Sequence, residues 1–382
     1  MSQFTLERFG MSPSNNNIWS FDLSSFMIIL GESEELDYRL IRGSFYECFS
    51  AAPVSGFQTY LRSYDALTDN VGPIYISPYG GKRAPLRNQR LAHTIKSRGL
   101  LRDSKFTVYQ IPTTHESAAQ DPVDARLLLW TLTTWACLAG LLTALALLPN
   151  TSWIGFTNCI LLSGWSIILR LFERRCTKTA TNHPTRPHDQ DAVIFLGRRN
   201  SCFILEGNRK DICKWTGLGI YIKDDIVSMF IQAFARVTSL LVMIFVFTTI
   251  PNGTMADQIS FIFINVLAQA NVKMGQYLNA RRYISSLIKT AETEVQSRTQ
   301  VYGLLIRRFG HRNWVEQVDL IPRTLAWKNW QRLVGETKED PKELYERCLH
   351  DELTKGEEES EGLCEYTIHD RIFYTRLMKL KV

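Results

Sequence analysis

The 382 residues, 45% apolar and 21% charged with a formal net charge of +6, have the average composition of two or three soluble domains. Their distribution argues otherwise, because the apolar residues gather in two stretches, Leu127 to Leu171 and Ile226 to Val272, between regions that are ordinary or strongly charged. Eight cysteines without a C-x-x-C pair point away from a disulfide framework and toward a reducing, cytosolic setting for most of the chain.

The first eight residues lack a basic start followed by an apolar core, so no cleavable signal peptide is expected and insertion would use an internal helix. Residues 1–125 mix short apolar runs, Phe26 to Leu30 and Thr107 to Ile111, with turn-forming stretches such as Ser12 to Asn17 and Pro78 to Gly81. They predict a small α+β or partly disordered cytosolic region. Between Lys82 and Lys105 there are eight Lys or Arg against one acid, Asp103, which marks 82–105 as a candidate contact for anionic lipid head groups or a solvated basic surface.

A transmembrane hairpin is expected over 126–171. Its first span, Leu127 to Leu148, has 22 residues without a charge, roughly 33 Å of helix. Within it Ala136, Gly140 and Ala144 recur at four-residue spacing, a face that lets another helix approach closely, which predicts packing against span two or self-association. The second span, Trp153 to Leu169, is closed by Arg170, Arg174, Arg175 and Lys178. Residues 172–225 then read as a cytosolic loop with a β-hairpin, Ala192 to Leu196 and Cys202 to Leu205, followed by a helical turn at Arg209 to Trp215 and the run Ile220 to Ile222.

Spans three and four are placed in 226–272. The third contains Gln232 and Arg236, and Arg236 would snorkel to the interface. The fourth, Met255 to Val272, carries Asp257 at its start and is the most polar of the set. Gln258, Asn265, Gln269 and Gln276 fall on one stripe, which suggests either a polar pathway or an intramembrane polar seam of Asn158, Arg236, Asn265 and Gln269. Lys and Arg are absent from loops 149–152 and 251–254 but number 13 in residues 1–126 and 11 in 170–225, so the positive-inside rule puts both termini in the cytoplasm. Asn150 and Asn252 begin N-x-[ST] triplets in the two loops expected on the far side, and are candidate glycosylation acceptors.

Residues 273–382 predict a cytosolic helical region, acidic near 336–365. The fourth span would continue to about residue 308, and a later helix would have Asp340 as N-cap, Pro341 at N1, Glu343 at N3 and its end at Gly356. Its apolar face would be Tyr345, Cys348, Leu349 and Leu353. The fold class is therefore mainly α: a polytopic membrane protein with a four-helix transmembrane bundle and a cytosolic α+β and helical portion.

No P-loop, G-x-G-x-x-G, G-x-S-x-G or H-E-x-x-H pattern is present, and the proline-broken group Cys176, His183, His188, Asp189 and Asp191 matches no zinc frame. Neither a cofactor nor a metal is expected, no catalytic residue stands out, and the partners implied are the bilayer and proteins rather than nucleic acid. The runs Ser152 to Cys159, Phe195 to Ser201 and Lys214 to Gly217 resemble a group of membrane proteins of filamentous fungi, over roughly Asp124 to Gly335. The resemblance implies the four-span architecture and, for some members, genes placed among secondary-metabolite genes; it carries no activity to particular residues. Three functions follow as expectations: a membrane-anchored scaffold or accessory protein, a small transporter or channel subunit using the polar residues of span four, or an accessory protein or enzyme of a fungal secondary-metabolite pathway.

Overall fold

In a computed structural model, the structure describes residues 32–359 apart from 57, 62–66, 68–71, 103, 113–121, 149–151, 181–188 and 311–312. Among the residues singled out above, Ser12 to Asn17, Phe26 to Leu30, Asn150, His183 and His188 lie outside the described residues.

The described chain is mainly helical and contains a sheet. Its helices are α1 (Glu32–Ile41), α2 (Gln58–Leu61), α3 (Gln89–Ser97), α4 (Pro122–Leu147), α5 (Trp153–Cys176), α6 (Arg209–Gly217), α7 (Ile226–Thr249), α8 (Met255–Ser285), α9 (Arg298–Phe309), α10 (Asn313–Gln317), α11 (Leu325–Glu336) and α12 (Pro341–Glu359). The strands are β1 (Ile74–Ser77), β2 (Lys82–Pro85), β3 (Lys105–Gln110), β4 (Thr177–Ala180), β5 (Gln190–Leu196), β6 (Cys202–Asn208), β7 (Gly219–Ile222) and β8 (Ile288–Glu294).

Three helices are long and apolar enough to cross a membrane: Ala125–Leu147, Trp153–Cys176 and Ile226–Asn252. α5 packs against α7, and α8 lies beside both α4 and α5. The expected fourth span is thus a helix of the same bundle, 31 residues long, whose polar content leaves it outside the set of three. Side chains set the helix starts: Ser152 caps α5 by accepting from Ile154 N at 3.2 Å, Asp225 caps α7, and Thr254 with Asp257 forms a capping box on α8.

The six-stranded sheet has the order β2-β1-β5-β6-β3-β8, with β3 and β6 parallel and the other neighbours antiparallel. β4 and β7 form a separate two-stranded ribbon. Alternation within β5 and β6 explains why their sequences are continuous apolar runs. Ala192, Ile194, Cys202 and Ile204 join a core with Trp314, Trp330 and Leu305 of the C-terminal helices, whereas Val193, Phe195, Phe203 and Leu205 pack with Leu91, Ile95 and Ile212 of α3 and α6. At the turn of this hairpin Arg199 and Asn200 take φ of 52° and 59°, and Asn200 Nδ2 donates to Gln296 O at 2.8 Å.

Three expectations are corrected. The chain after span four does not run as one helix to residue 308. α8 ends at Ser285, β8 pairs with β3 at the sheet edge, and α9 begins afresh behind a Ser297 cap. Ile288 to Glu294 carries polar residues on both faces, as suits an edge strand, and its Lys289 and Glu292 pair across a solvated surface. Ala136, Gly140 and Ala144 are exposed, and a Cβ placed on Gly140 meets nothing within 4 Å, so this small-residue face does not pack on span two. The inner face of α4 is instead Leu127, Thr131, Thr134, Leu138 and Leu145. α12 also runs past Gly356 to Glu359; Tyr345 and Cys348 are buried in the C-terminal core, with Leu349 packed against it.

Candidate functional site

The bundle and the sheet meet around the N-terminal segment, and its charged residues set that junction. In α1 the positions 35, 38 and 39 share one helical face, and Arg42 follows directly after the helix, so Glu35, Tyr38, Arg39 and Arg42 all point at the bundle. Arg39 Nε lies 2.7 Å from Glu173 Oε2, and Arg42 Nη2 lies 2.9 Å from Glu173 Oε1, with all three side chains nearly inaccessible. Arg39 also donates to Thr59 O at 3.0 Å and lies over the Tyr60 ring at 4.0 Å. Burial pushes the carboxyl of Glu35 up to about 7, against the nearby charges of Arg170, Arg42 and Arg39.

Residues 50–55 then pass between the long helices without regular structure, and side chains of those helices satisfy their backbone. Arg170 donates to Ser50 O and Ala52 O, each at 2.7 Å; Ser166 Oγ accepts from Val54 N at 2.8 Å; Thr134 Oγ1 accepts from Ala51 N at 3.0 Å. Ser50 Oγ reaches Asn271 Oδ1 at 3.0 Å, where Trp130 Nε1 also donates. A buried irregular backbone requires such partners. Sequence reading placed this segment outside the bundle.

Beside the junction lies a cavity of about 280 Å³ between α3, α6, the end of α8 and the loop at Gly43. Arg90, His93, Lys214, Arg282, Trp215 and Tyr283 line it together with small and neutral residues, and its lining contains no Asp or Glu. Its walls are held firmly. Asn88 caps α3, donates to Trp215 O at 2.8 Å and to the Tyr283 hydroxyl at 2.6 Å, and the Trp215 and Tyr283 rings lie 4.3 Å apart. Arg90 Nη2 donates to Arg42 O at 3.0 Å. The nearby carboxylate of Glu47 accepts from Tyr38 Oη, Asn279 Nδ2, Gly43 N and Ser44 N at 2.9, 2.6, 3.1 and 2.9 Å. The charged groups in the lining are all basic, and His93 places an imidazole among them.

The residues expected to form a polar seam are dispersed. Asn158 Nδ2 donates to Thr249 Oγ1 at 3.1 Å, joining α5 to α7. Asn265 Nδ2 bonds its own helix at Phe261 O, 2.8 Å away. Gln269 donates to Ser55 Oγ, and Gln276 to Glu34 O at 3.1 Å, so the amide stripe of α8 serves the N-terminal segment rather than α7. Arg236 is half-buried, and its Nε has no hydrogen-bond partner among the described residues. Asn252 lies exposed after α7 and donates to Thr248 O at 2.7 Å.

Three cations of the basic segment 82–105 are engaged at the surface: Arg83 donates to Asp319 O at 2.8 Å, Arg98 lies over Tyr277 at 4.8 Å, and Lys105 pairs with Glu292 at 2.7 Å. Among the described residues no three His, Cys, Asp or Glu are grouped to hold a metal. Cys176 instead contacts Ser228 O at 3.7 Å, and Asp191 faces Arg209 at 3.5 Å.

Sequence reading missed the junction charges and Asp257. Glu173 is the single acid among Arg170, Arg174 and Arg175, and that oddity was its signal. Asp257, read only as a polar residue at the start of span four, is fully buried and accepts from Ser152 Oγ at 2.6 Å and Gly155 N at 3.2 Å, tying the start of α8 to that of α5. No family model, no curated protein and no solved structure matches this chain.

Proposed function

We propose that the protein is a membrane-anchored scaffold or accessory protein in which α4, α5, α7 and α8 cross the bilayer and hold the sheet, with both termini, on the cytoplasmic face. The outward faces support this reading: Leu128, Leu129 and Leu132 on α4, Phe230, Val237, Leu241 and Ile244 on α7, and Ile259, Ile262, Phe263 and Val266 on α8 are all exposed and apolar. Arg174, Arg175, Lys223 and Arg282 cluster at the sheet end of the bundle, the arrangement that the positive-inside rule associates with the cytoplasm.

The observation that carries the proposal is α8 itself. It begins at the Asp257 cap beside α5, runs along the bundle, and ends where Tyr283 and Ile284 pack into the sheet core, so bundle and sheet share one uninterrupted helix. A rigid link of this kind suits presentation of a binding surface at a fixed height above the membrane. Flux through the bundle is disfavoured by the engagement of Gln269 and Gln276 with the N-terminal segment. Cross-linking of the full-length protein in membranes, followed by purification, should return a stoichiometric protein partner; recovery of the protein alone would contradict the scaffold role.

A further inference from the structure

We propose that the outer flank of α7 around Arg236 is the docking face for a membrane helix of another protein, which meets the guanidinium with a carboxylate. The inference rests on the membrane-anchored scaffold reading and names the class of partner that such a scaffold holds.

Arg236 stands within one of the three helices long and apolar enough to cross a bilayer. Its helix neighbours Ala235 and Ser239 are buried where α7 packs on α5, and Trp165 Nε1 donates to Ser239 Oγ at 3.0 Å. Arg236 Nε is buried without a hydrogen-bond partner, and no carboxylate among the described residues pairs with the guanidinium. A charged side chain inside a span is costly and calls for a counter-charge, water or the interface. The interface is remote along α7. Exposed apolar side chains continue on both sides of Arg236, through Leu240 and Ile244 in one direction and back to Ile226 in the other. Ile226 is ten residues away, about 15 Å along the helix, whereas the three-methylene stem of arginine spans about one turn.

The bundle does not supply the acid. The carboxylates of α4, α5, α7 and α8 are Asp124, Glu173 and Asp257. Asp124 precedes the apolar part of α4, Glu173 is held by Arg39 and Arg42, and Asp257 is buried in the capping box of α8. A second copy of this chain therefore offers no lipid-facing carboxylate from these helices, and charge complementarity assigns the counter-charge to a different chain.

The flank has the form of a helix-packing seam. Met229, Gln232, Arg236, Leu240 and Met243 recur at steps of three or four and share one side of α7. Met229 and Leu240 are exposed, and adaptable side chains of this kind suit an apolar helix face. Gln232 makes no side-chain hydrogen bond among the described residues and adds an amide donor one turn from Arg236.

The test places dye-labelled full-length protein in phosphatidylcholine vesicles with an acceptor-labelled single-span peptide of leucine and alanine, about 20 residues long, carrying Glu at mid-span. Energy transfer should report association about tenfold tighter than for the same peptide with Leu in that place. Arg236→Leu should abolish the difference at an unchanged or higher melting temperature, and Arg236→Lys should keep it. Arg236→Glu should transfer the preference to a peptide with Lys at mid-span. Equal association of the Glu and Leu peptides with the wild type, no association at all, or a preference that survives Arg236→Leu would overturn the proposal; the first two results would leave lipid phosphate as the counter-charge. Recovery of a partner by cross-linking of the full-length protein, alongside such a negative result, would leave the scaffold role standing at another surface, so the two failures are separable.

Discussion

Arg39 Nε donates to Glu173 Oε2 at 2.7 Å across 134 residues of sequence, and this contact, with Arg42 on the other carboxylate oxygen, fastens α1 to the sheet end of α5. Both side chains are nearly inaccessible, so removing one partner leaves a buried charge uncompensated. Glu173→Gln should lower stability by about 3–5 kcal/mol, read as a drop in the melting temperature of the purified protein. The double variant with Arg39→Met should lose less than the sum of the two single variants, because the pair acts as a unit. Additive losses would show that the two residues do not interact.

Glu35 makes stability depend on pH. Its folded pKa, about 7, lies above the ordinary 4.5, so its contribution is fully present below about 4.5 and is lost as pH rises through about 7. A shift of that size corresponds to ~3 kcal/mol. The wild type should therefore soften between these values, while Glu35→Gln should show a flatter profile over the same window. Melting curves at a series of pH values measure both.

Asp257 closes the end of the bundle remote from the sheet. It accepts from Ser152 Oγ, Gly155 N and both the N–H and the hydroxyl of Thr254, so Asp257→Ala leaves two buried donors and two half-buried ones without their acceptor. A loss of about 2–4 kcal/mol is expected, and Ser152→Ala, which removes one donor only, should cost less. Equal losses would mean that the cap, rather than the link between α5 and α8, is what matters.

Gly275 lets α8 approach α1. A Cβ there would lie 2.4 Å from the Tyr38 ring, whose hydroxyl is already held by Glu47 at 2.9 Å. Gly275→Ala should destabilise the junction by about 1–3 kcal/mol even though alanine favours helix, and Tyr38→Leu in the same chain should restore part of the loss. Thermal unfolding of the three proteins decides this.

The long apolar helices and the β5–β6 hairpin were legible because they are local: uncharged length marks the former, and paired apolar runs around Gly197 to Asn200 mark the latter. The polar stripe of α8 was visible but its partner was not, since Gln269 and Gln276 meet Ser55 and Glu34 more than 200 residues away in sequence. The cavity was equally hidden. Arg90 belonged to a basic stretch that looked like a single surface, yet folding separates it from Arg83 and Lys105 and sets it beside Lys214 and Arg282. β8 lay inside what looked like a continuing helix because an edge strand with polar residues on both faces has no apolar alternation to announce it.

Protease protection in sealed vesicles with the cytoplasmic face outward tests the central claim most directly, with one epitope inserted between Pro251 and Asn252, before the α8 cap, and another following Val382. The account predicts that the epitope at 251–252 is protected until detergent is added while the C-terminal epitope is digested at once. Digestion of both in intact vesicles would contradict it, since α7 and α8 would then not carry the chain across and back.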